Sequence, residues 1–311
     1  MSFPDVDTDR LYVIIAGTTK AATTSFYRYL SDHPSICPSK LKETRYFLAE
    51  DYPLPLKFRR NKEIRCYDDF FDCPQDRKIC LEATPDYLYS ANTAQRIKGE
   101  LAGAKLIFVL REPVSRLISY YKFARHLGLL SADMSFDDYV NLQRGECRQK
   151  ISVRAHPAFQ ALQQGRYSVY LKPYFDLFDK NKICVAYYEQ FLSDPLSVLT
   201  SICSYIGIES SFFRDYRFEA FNRSSNVSNL KLHVAYMKFK RTLRDFTYYR
   251  PAVRSMLRWV RVRLEPHYLK LNARTAAEET NISNAAAEFL REYYSKETAE
   301  LTAMLGTRPP W

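Results

Sequence analysis

Short apolar runs alternate with helical periods over the first two thirds of the chain. Leu11 to Ala16 (LYVIIA) is a β-branched apolar run; Gly17 follows, then a helical pattern from Ala22 to Leu30 that His33-Pro34 closes. A second unit begins with KLIFVL at Lys105, meets Arg111-Glu112-Pro113 and continues as a helix to about His126, with Pro113 where a first helical turn accepts proline. A third run, KICVAYY from Lys182, follows a helical stretch from Ser168 to Phe178, and Pro195 opens a helix through Tyr205. Strands alternating with helices predict parallel pairing in a layered α/β fold. The last third reads as mainly helical, over Val234–Phe246, Pro251–Val262 and Ala285–Leu305 with Gly306 as the stop, whereas Leu48 to Lys78 has no clean period and reads as an irregular insertion.

Composition adds limits. At 311 residues with 46% hydrophobic content the chain can bury a large core, and its 8 glycines form no linker-like run, so a single domain is expected. The formal charge of +11 favours anionic partners without choosing among them. Nothing approaches a membrane span or a secretion signal. Seven cysteines, odd in number and without a C-x-x-C pair, suit free thiols in a reducing compartment, so a cytoplasmic location is expected; five scattered histidines suggest no metal cluster.

The candidate chemistry begins after the first strand. Gly17-Thr18-Thr19-Lys20-Ala21-Ala22-Thr23-Thr24-Ser25 offers backbone N–H groups, hydroxyls and one lysine at a helix N-terminus, a set suited to holding phosphate. It departs from G-x-x-x-x-G-K-[ST], because Lys20 precedes the hydroxyl pair by three residues and Ala22 stands where the second glycine would be. The second strand ends in Arg111, where a magnesium-dependent kinase or ATPase usually has an aspartate; an arginine there suits direct, bidentate binding of a second phosphate, with Ser119 able to add a hydroxyl.

Together GTTKAATTS and KLIFVLREPVSRLISYY resemble the two phosphate-binding motifs of the sulfotransferases that use 3'-phosphoadenosine 5'-phosphosulfate (PAPS), closest to the heparan sulfate-type carbohydrate branch and its bacterial relatives. Lys42-Glu43-Thr44-Arg45-Tyr46-Phe47 is similar to that branch's K-E-x-H-F-F motif, Glu82-Ala83-Thr84-Pro85-Asp86-Tyr87 to its E-x-[ST]-P-x-Y segment, and Gly165-Arg166-Tyr167 and the ending LTAMLGTRPPW to later family features. The resemblance implies a P-loop-like parallel sheet flanked by helices, a PAPS-binding core over about 10–210 and a helical portion over about 211–311. It implies that Gly17 through Ser25 cradle the 5'-phosphosulfate, that Lys20 is catalytic at the leaving oxygen, that Arg111 and Ser119 bind the 3'-phosphate, and that Glu43 is the base. Arg223 is expected to stand in for a late cofactor loop. Lys42, Arg45, Glu82 and Tyr87 are expected on the acceptor side, and Arg166 and Tyr167 near the nucleotide.

No metal is required on this reading, no nucleic acid is expected, and the acceptor is a saccharide hydroxyl or a small-molecule alcohol or amine. Three departures stand out. Ala21 and Ala22 replace frequent glycines, so the backbone avoids positive φ there or the loop differs slightly; Arg45 replaces a histidine; and Ala83 replaces a lysine of several heparan-type enzymes. The alternatives are N-sulfation by the same fold, a P-loop kinase, and a basic module binding nucleic acid or glycan through the basic, aromatic segment from Lys231 to Arg263, which also suits a basic amphipathic face against a membrane.

Overall fold

The structure, a computed structural model, describes residues 10–54, 66–74, 77–145, 157–219, 226–227, 229–246, 263, 267–268, 273–274 and 280–311. Five parallel strands form one sheet in the order β2-β3-β1-β4-β5: β1 (Leu11–Gly17), β2 (Ile36–Pro38), β3 (Ile79–Ala83), β4 (Lys105–Leu110) and β5 (Ile183–Tyr187). The helices that follow β1, β3, β4 and β5 are α1 (Thr23–Ser31), α2 (Thr93–Glu100), α3 (Pro113–His126) and the pair α6 (Tyr188–Ser193) and α7 (Pro195–Ile206); α4 (Phe136–Arg144) and α5 (Tyr167–Leu177) lie between α3 and β5. Later come α8 (Leu230–Phe246) and α9 (Asn284–Leu305).

Both faces of the sheet are covered, which explains the uninterrupted apolar runs. Tyr12, Ile14 and Ala16 of β1, with Leu106, Phe108 and Leu110 of β4, join one cluster with the aromatics of α5 and of residues 46–71. Val13 and Ile15, with Ile107 and Val109, join the other, against Phe26, Leu30, Leu199 and Ile202 of α1 and α7. The alternation of side chains along each strand assigns these faces.

Strands β2 and β3 are additions to the expected pattern. Three residues are too few to show a period, and β3 carries Glu82, whose charge interrupts an apolar run. Of the expected insertion at 48–78, the described part includes a 3-10 turn at Tyr67–Phe70 whose buried Tyr67 and Phe70 pack into the core. The expected helix over 251–262 lies outside the described residues.

Two compact units emerge. One gathers Met1–Arg116, Ile151–Asn222 and Leu290–Trp311, and the other Leu117–Lys150 and Arg223–Phe289. The final segment, Leu290–Trp311, belongs to the sheet-bearing unit. Buried Glu297 of α9 accepts from Ser168 N and Ser168 Oγ, both at 2.6 Å, Tyr294 Oη donates to Leu162 O at 2.7 Å, and Trp311 packs edge-on against Tyr187. Tyr294 also crosses Gly165 so closely that a Cβ there would lie 2.5 Å from its hydroxyl, which accounts for the glycine.

The expectation of free thiols is corrected at one pair. Cys37, at the middle of β2, is disulfide-bonded to Cys73, and Cys80 Sγ lies 3.4 Å from Cys73 Sγ; Cys66, Cys80, Cys184 and Cys203 are free. Folding brings together cysteines 36 apart in sequence, a proximity that spacing does not reveal. The support that free thiols lent to a reducing compartment goes with it. Replacing both Cys37 and Cys73 by Ser is expected to lower stability by about 4 kcal/mol, the loop-entropy value for such a span, measured as a shift in urea midpoint against the parent.

Candidate active site

The carboxyl ends of β1, β3 and β4 carry the candidate residues, at the edge where parallel α/β sheets place their ligands. The turn after β1 is anchored to β4 by Thr18 N–H donating to Val109 O at 2.9 Å. Gly17 passes Leu88 so tightly that a Cβ would meet Leu88 Cβ at 2.9 Å. Lys20 and Ala22 both adopt left-handed φ, 71° and 59°, and Ala22 is the N-cap of α1 without a side-chain cap. Of the two alternatives expected at Ala21 and Ala22, negative φ or a slightly different loop, Ala22 does not keep φ negative, at a cost of about 1–2 kcal/mol for a residue with a Cβ.

The hydroxyls of the loop divide in two. Thr18 and Ser25 are buried, and Thr18 Oγ1 shares a hydrogen bond with Tyr89 Oη, so Thr18 braces the loop from within. Thr19 and Thr24 are half-buried, while Ala21 and Thr23 are buried. Lys20 is pushed down to about 8, first by burial and then by the Arg111 charge. Arg111 Nη1 donates to Lys20 O at 3.1 Å, its guanidinium stacks 4.3 Å from the centroid of the Tyr188 ring, and its buried Nε has no hydrogen-bond partner. Tyr167 is wholly buried and donates to Arg111 O at 2.6 Å, so it positions the arginine from the core instead of contacting a ligand. Two neighbouring cations in a desolvated pocket, one with an unsatisfied N–H, form a site that fits a polyanion.

Beside this pocket lies the segment carrying Glu43. Ala83 N–H donates to Lys42 O at 3.0 Å, extending β3 to the segment. Lys42 Nζ meets Glu43 Oε1 at 3.1 Å and Arg45 Nη2 pairs with Glu43 Oε2, so a cation holds each oxygen of the partly exposed carboxylate. Arg45 sits at φ 56°, with its N–H bonded to Thr84 Oγ1 at 3.3 Å.

Glu82 and Tyr87, expected on the acceptor side either to shape the cleft or to support it, are both 0% exposed and bond to the segment from within the core. Glu82 Oε2 accepts from Thr44 N at 3.3 Å and from Thr44 Oγ1 and Thr84 Oγ1 at 3.0 Å each, and Tyr87 Oη meets Thr44 Oγ1 at 3.0 Å. Burial pushes Glu82 up to about 7 although these hydrogen bonds oppose it. His33 is structural as well, with Nε2 on Glu209 O at 2.8 Å and Nδ1 accepting from Ser35 N. Ser119 lies on α3 in the stretch belonging to the second unit, Arg166 is the N-cap of α5, and Arg223 lies outside the described residues.

Several participants escaped the sequence reading. Tyr89 and Tyr188 brace the loop and Arg111, and Asp86, buried and bonded by Tyr52 Oη at 2.8 Å, is pushed up to about 6 by burial and, among weaker influences, by the Glu43 charge. Tyr188 and Asp86 fall within the segments KICVAYY and EATPDY already singled out, which was the available signal.

Comparison with known proteins agrees with this architecture. The sulfotransferase domain family is matched over residues 12–247. A bifunctional heparan sulfate N-deacetylase/N-sulfotransferase 4 from Mus musculus is 25% identical over 207 residues, covering 63% of this chain and 22% of that protein. Heparan sulfate glucosamine 3-O-sulfotransferase 3A1 from Mus musculus is 24% identical over 196 residues, covering 63% and 45%. The chain thus spans less than half the length of these curated relatives. A crystal structure of a sulfotransferase from Alicyclobacillus acidocaldarius superposes with a TM-score of 0.66 at 21% identity, covering 96% of this chain and 97% of the other. The chain belongs to the sulfotransferase family, whose enzymes draw on PAPS.

The buried Glu82 makes stability depend on pH. Its folded value near 7 exceeds its ordinary 4.5, so the native state binds the extra proton between these values and stability falls as pH rises through that window. Glu82→Gln is expected to flatten this slope and to gain up to about 3 kcal/mol on the parent at pH 8, read from urea melts at pH 5 and 8.

Proposed function

We propose that the chain transfers the sulfuryl group of PAPS to a saccharide or small-molecule hydroxyl. The observation that carries this reading is the enclosed pair of cations, Lys20 and Arg111, at the ends of β1 and β4. When bound, PAPS supplies an activated sulfuryl group on a mixed anhydride whose leaving group is a phosphate. Lys20 is placed to neutralise charge building on that phosphate, with the first turn of α1, Thr19 and Thr24 around it, and Arg111 to hold a second phosphate; these groups are fixed before reaction, so little reorganisation is needed. Because protein cations supply the charge, nucleotide binding is expected without Mg²⁺.

Glu43 takes the proton of the acceptor hydroxyl. Lys42 and Arg45 each take one acceptor site on a different oxygen, which orients the partly exposed carboxylate and leaves a lone pair on each oxygen for the acceptor hydroxyl. A saccharide acceptor is supported by the two relatives named for heparan sulfate, whereas Arg45 in place of the motif's histidine marks a difference beside the candidate base.

Calorimetry with 3'-phosphoadenosine 5'-phosphate against AMP, without Mg²⁺, tests the donor. Preference for the 3'-phosphate, with a loss of tenfold or more in Arg111→Ala, is expected; equal affinity for the two nucleotides refutes the assignment. Lys20 titrates near 8, and an anion beside it favours its charged form, so binding at pH 8 should take up protons, seen as a buffer-dependent enthalpy that shrinks by pH 6.5. Glu43→Gln is expected to bind the nucleotide as the parent does and to lose about 10²-fold or more in turnover with a sulfatable acceptor.

A further inference from the structure

Helix α8 carries a surface that the transfer reading does not use. Its buried side is set by His233 and Val234, and the His233 ring bonds His126 O at 3.1 Å and Tyr268 Oη at 3.2 Å. Leu232, Ala235 and Phe239, at i, i+3 and i+7, lie on the opposite side and are exposed. Leu232 is 55% exposed, and Phe239, at 65%, is the most exposed large apolar side chain among the described residues. Exposed Lys231 and Lys238 border this ridge on one flank, and Lys240 lies on the other with Nζ 5.8 Å from the Tyr236 ring centroid. Exposed Asp133 is an acidic neighbour, held below the usual carboxylate range by its own backbone and Ser131 and, more weakly, by Lys231 and Lys238.

An apolar ridge flanked by lysines is the pattern of a helix lying in a membrane interface, where lysine stems extend along the apolar surface and their ammonium groups reach headgroup phosphates. Among the described residues no helix is long and apolar enough to cross a membrane. Nucleic acid or an acidic glycan would reward the lysines and an aromatic ring, but neither gives a reason for an exposed leucine one turn pair from the phenylalanine. We propose that this face of α8 seats on a bilayer surface containing anionic lipid, with Leu232 and Phe239 entering the boundary between headgroups and acyl chains.

Vesicle flotation of the whole chain tests this, using phosphatidylcholine with and without phosphatidylserine at physiological ionic strength. The parent is expected to float with the anionic vesicles, and the Leu232→Ser/Phe239→Ser variant, whose charge is unchanged, to partition about tenfold less or weaker. Val169→Ser/Leu192→Ser removes exposed apolar groups from the sheet-bearing unit and should leave partitioning unaltered. Phe239→Trp supplies a check independent of the double variant's folding, since its emission should shift to the blue on adding anionic vesicles and be quenched by brominated acyl chains. A double variant that floats like the parent, or a parent that binds heparin or single-stranded DNA but ignores the vesicles, overturns the proposal. Nucleotide binding is not part of this readout, so its outcome is separate from that of the donor test.

Discussion

Lys20 and Arg111 repel each other and have both lost water, and much of the sheet-bearing unit serves to keep them adjacent. The parallel register of β1 and β4 brings the two strand ends together, Arg111 is tied to Lys20 through the latter's carbonyl, Tyr188 lies against the guanidinium and Tyr167 holds the backbone from below. Removing cations from water costs several kcal/mol each unless an anion answers them. Burial and the Arg111 charge together account for the depression of Lys20.

A second constraint lies beneath Glu43. Glu82 converts a short, charged strand into a fixed support: one of its carboxylate oxygens gathers Thr44 and Thr84, Thr84 receives the backbone of Arg45, and Arg45 reaches Glu43. The candidate base is therefore positioned through a chain of hydrogen bonds that starts in the core. A buried polar network of this kind transmits any loss at its root to the surface group it holds.

What could be read from the chain, and what could not, follows from the range of the forces involved. β1, β4 and β5 are near-continuous apolar runs, and the phosphate loop and Arg111 sit at the ends of two of them, so local pattern sufficed. β2 and β3 escaped because three residues show no period and Glu82 breaks an apolar stretch. Tyr89, Tyr188 and Asp86 escaped because their importance arises from tertiary proximity, and one tyrosine among 24 carries no signal of its own. Glu82 and Tyr87 were legible as members of a motif but their burial was not, since sequence shows that a motif exists without showing which of its members face outward. Ala22 adopts a left-handed φ against its intrinsic propensity.

The stitching of the sheet-bearing unit from three separated stretches has a consequence for its biosynthesis. Glu297, Tyr294 and Trp311 close over Ser168, Leu162 and Tyr187, so a chain emerging from the ribosome cannot complete this unit until its last stretch is made. Until then the α5 surface that receives α9 stays uncovered, so the stretches of the unit made first must be kept from wrong contacts while the intervening residues are synthesised.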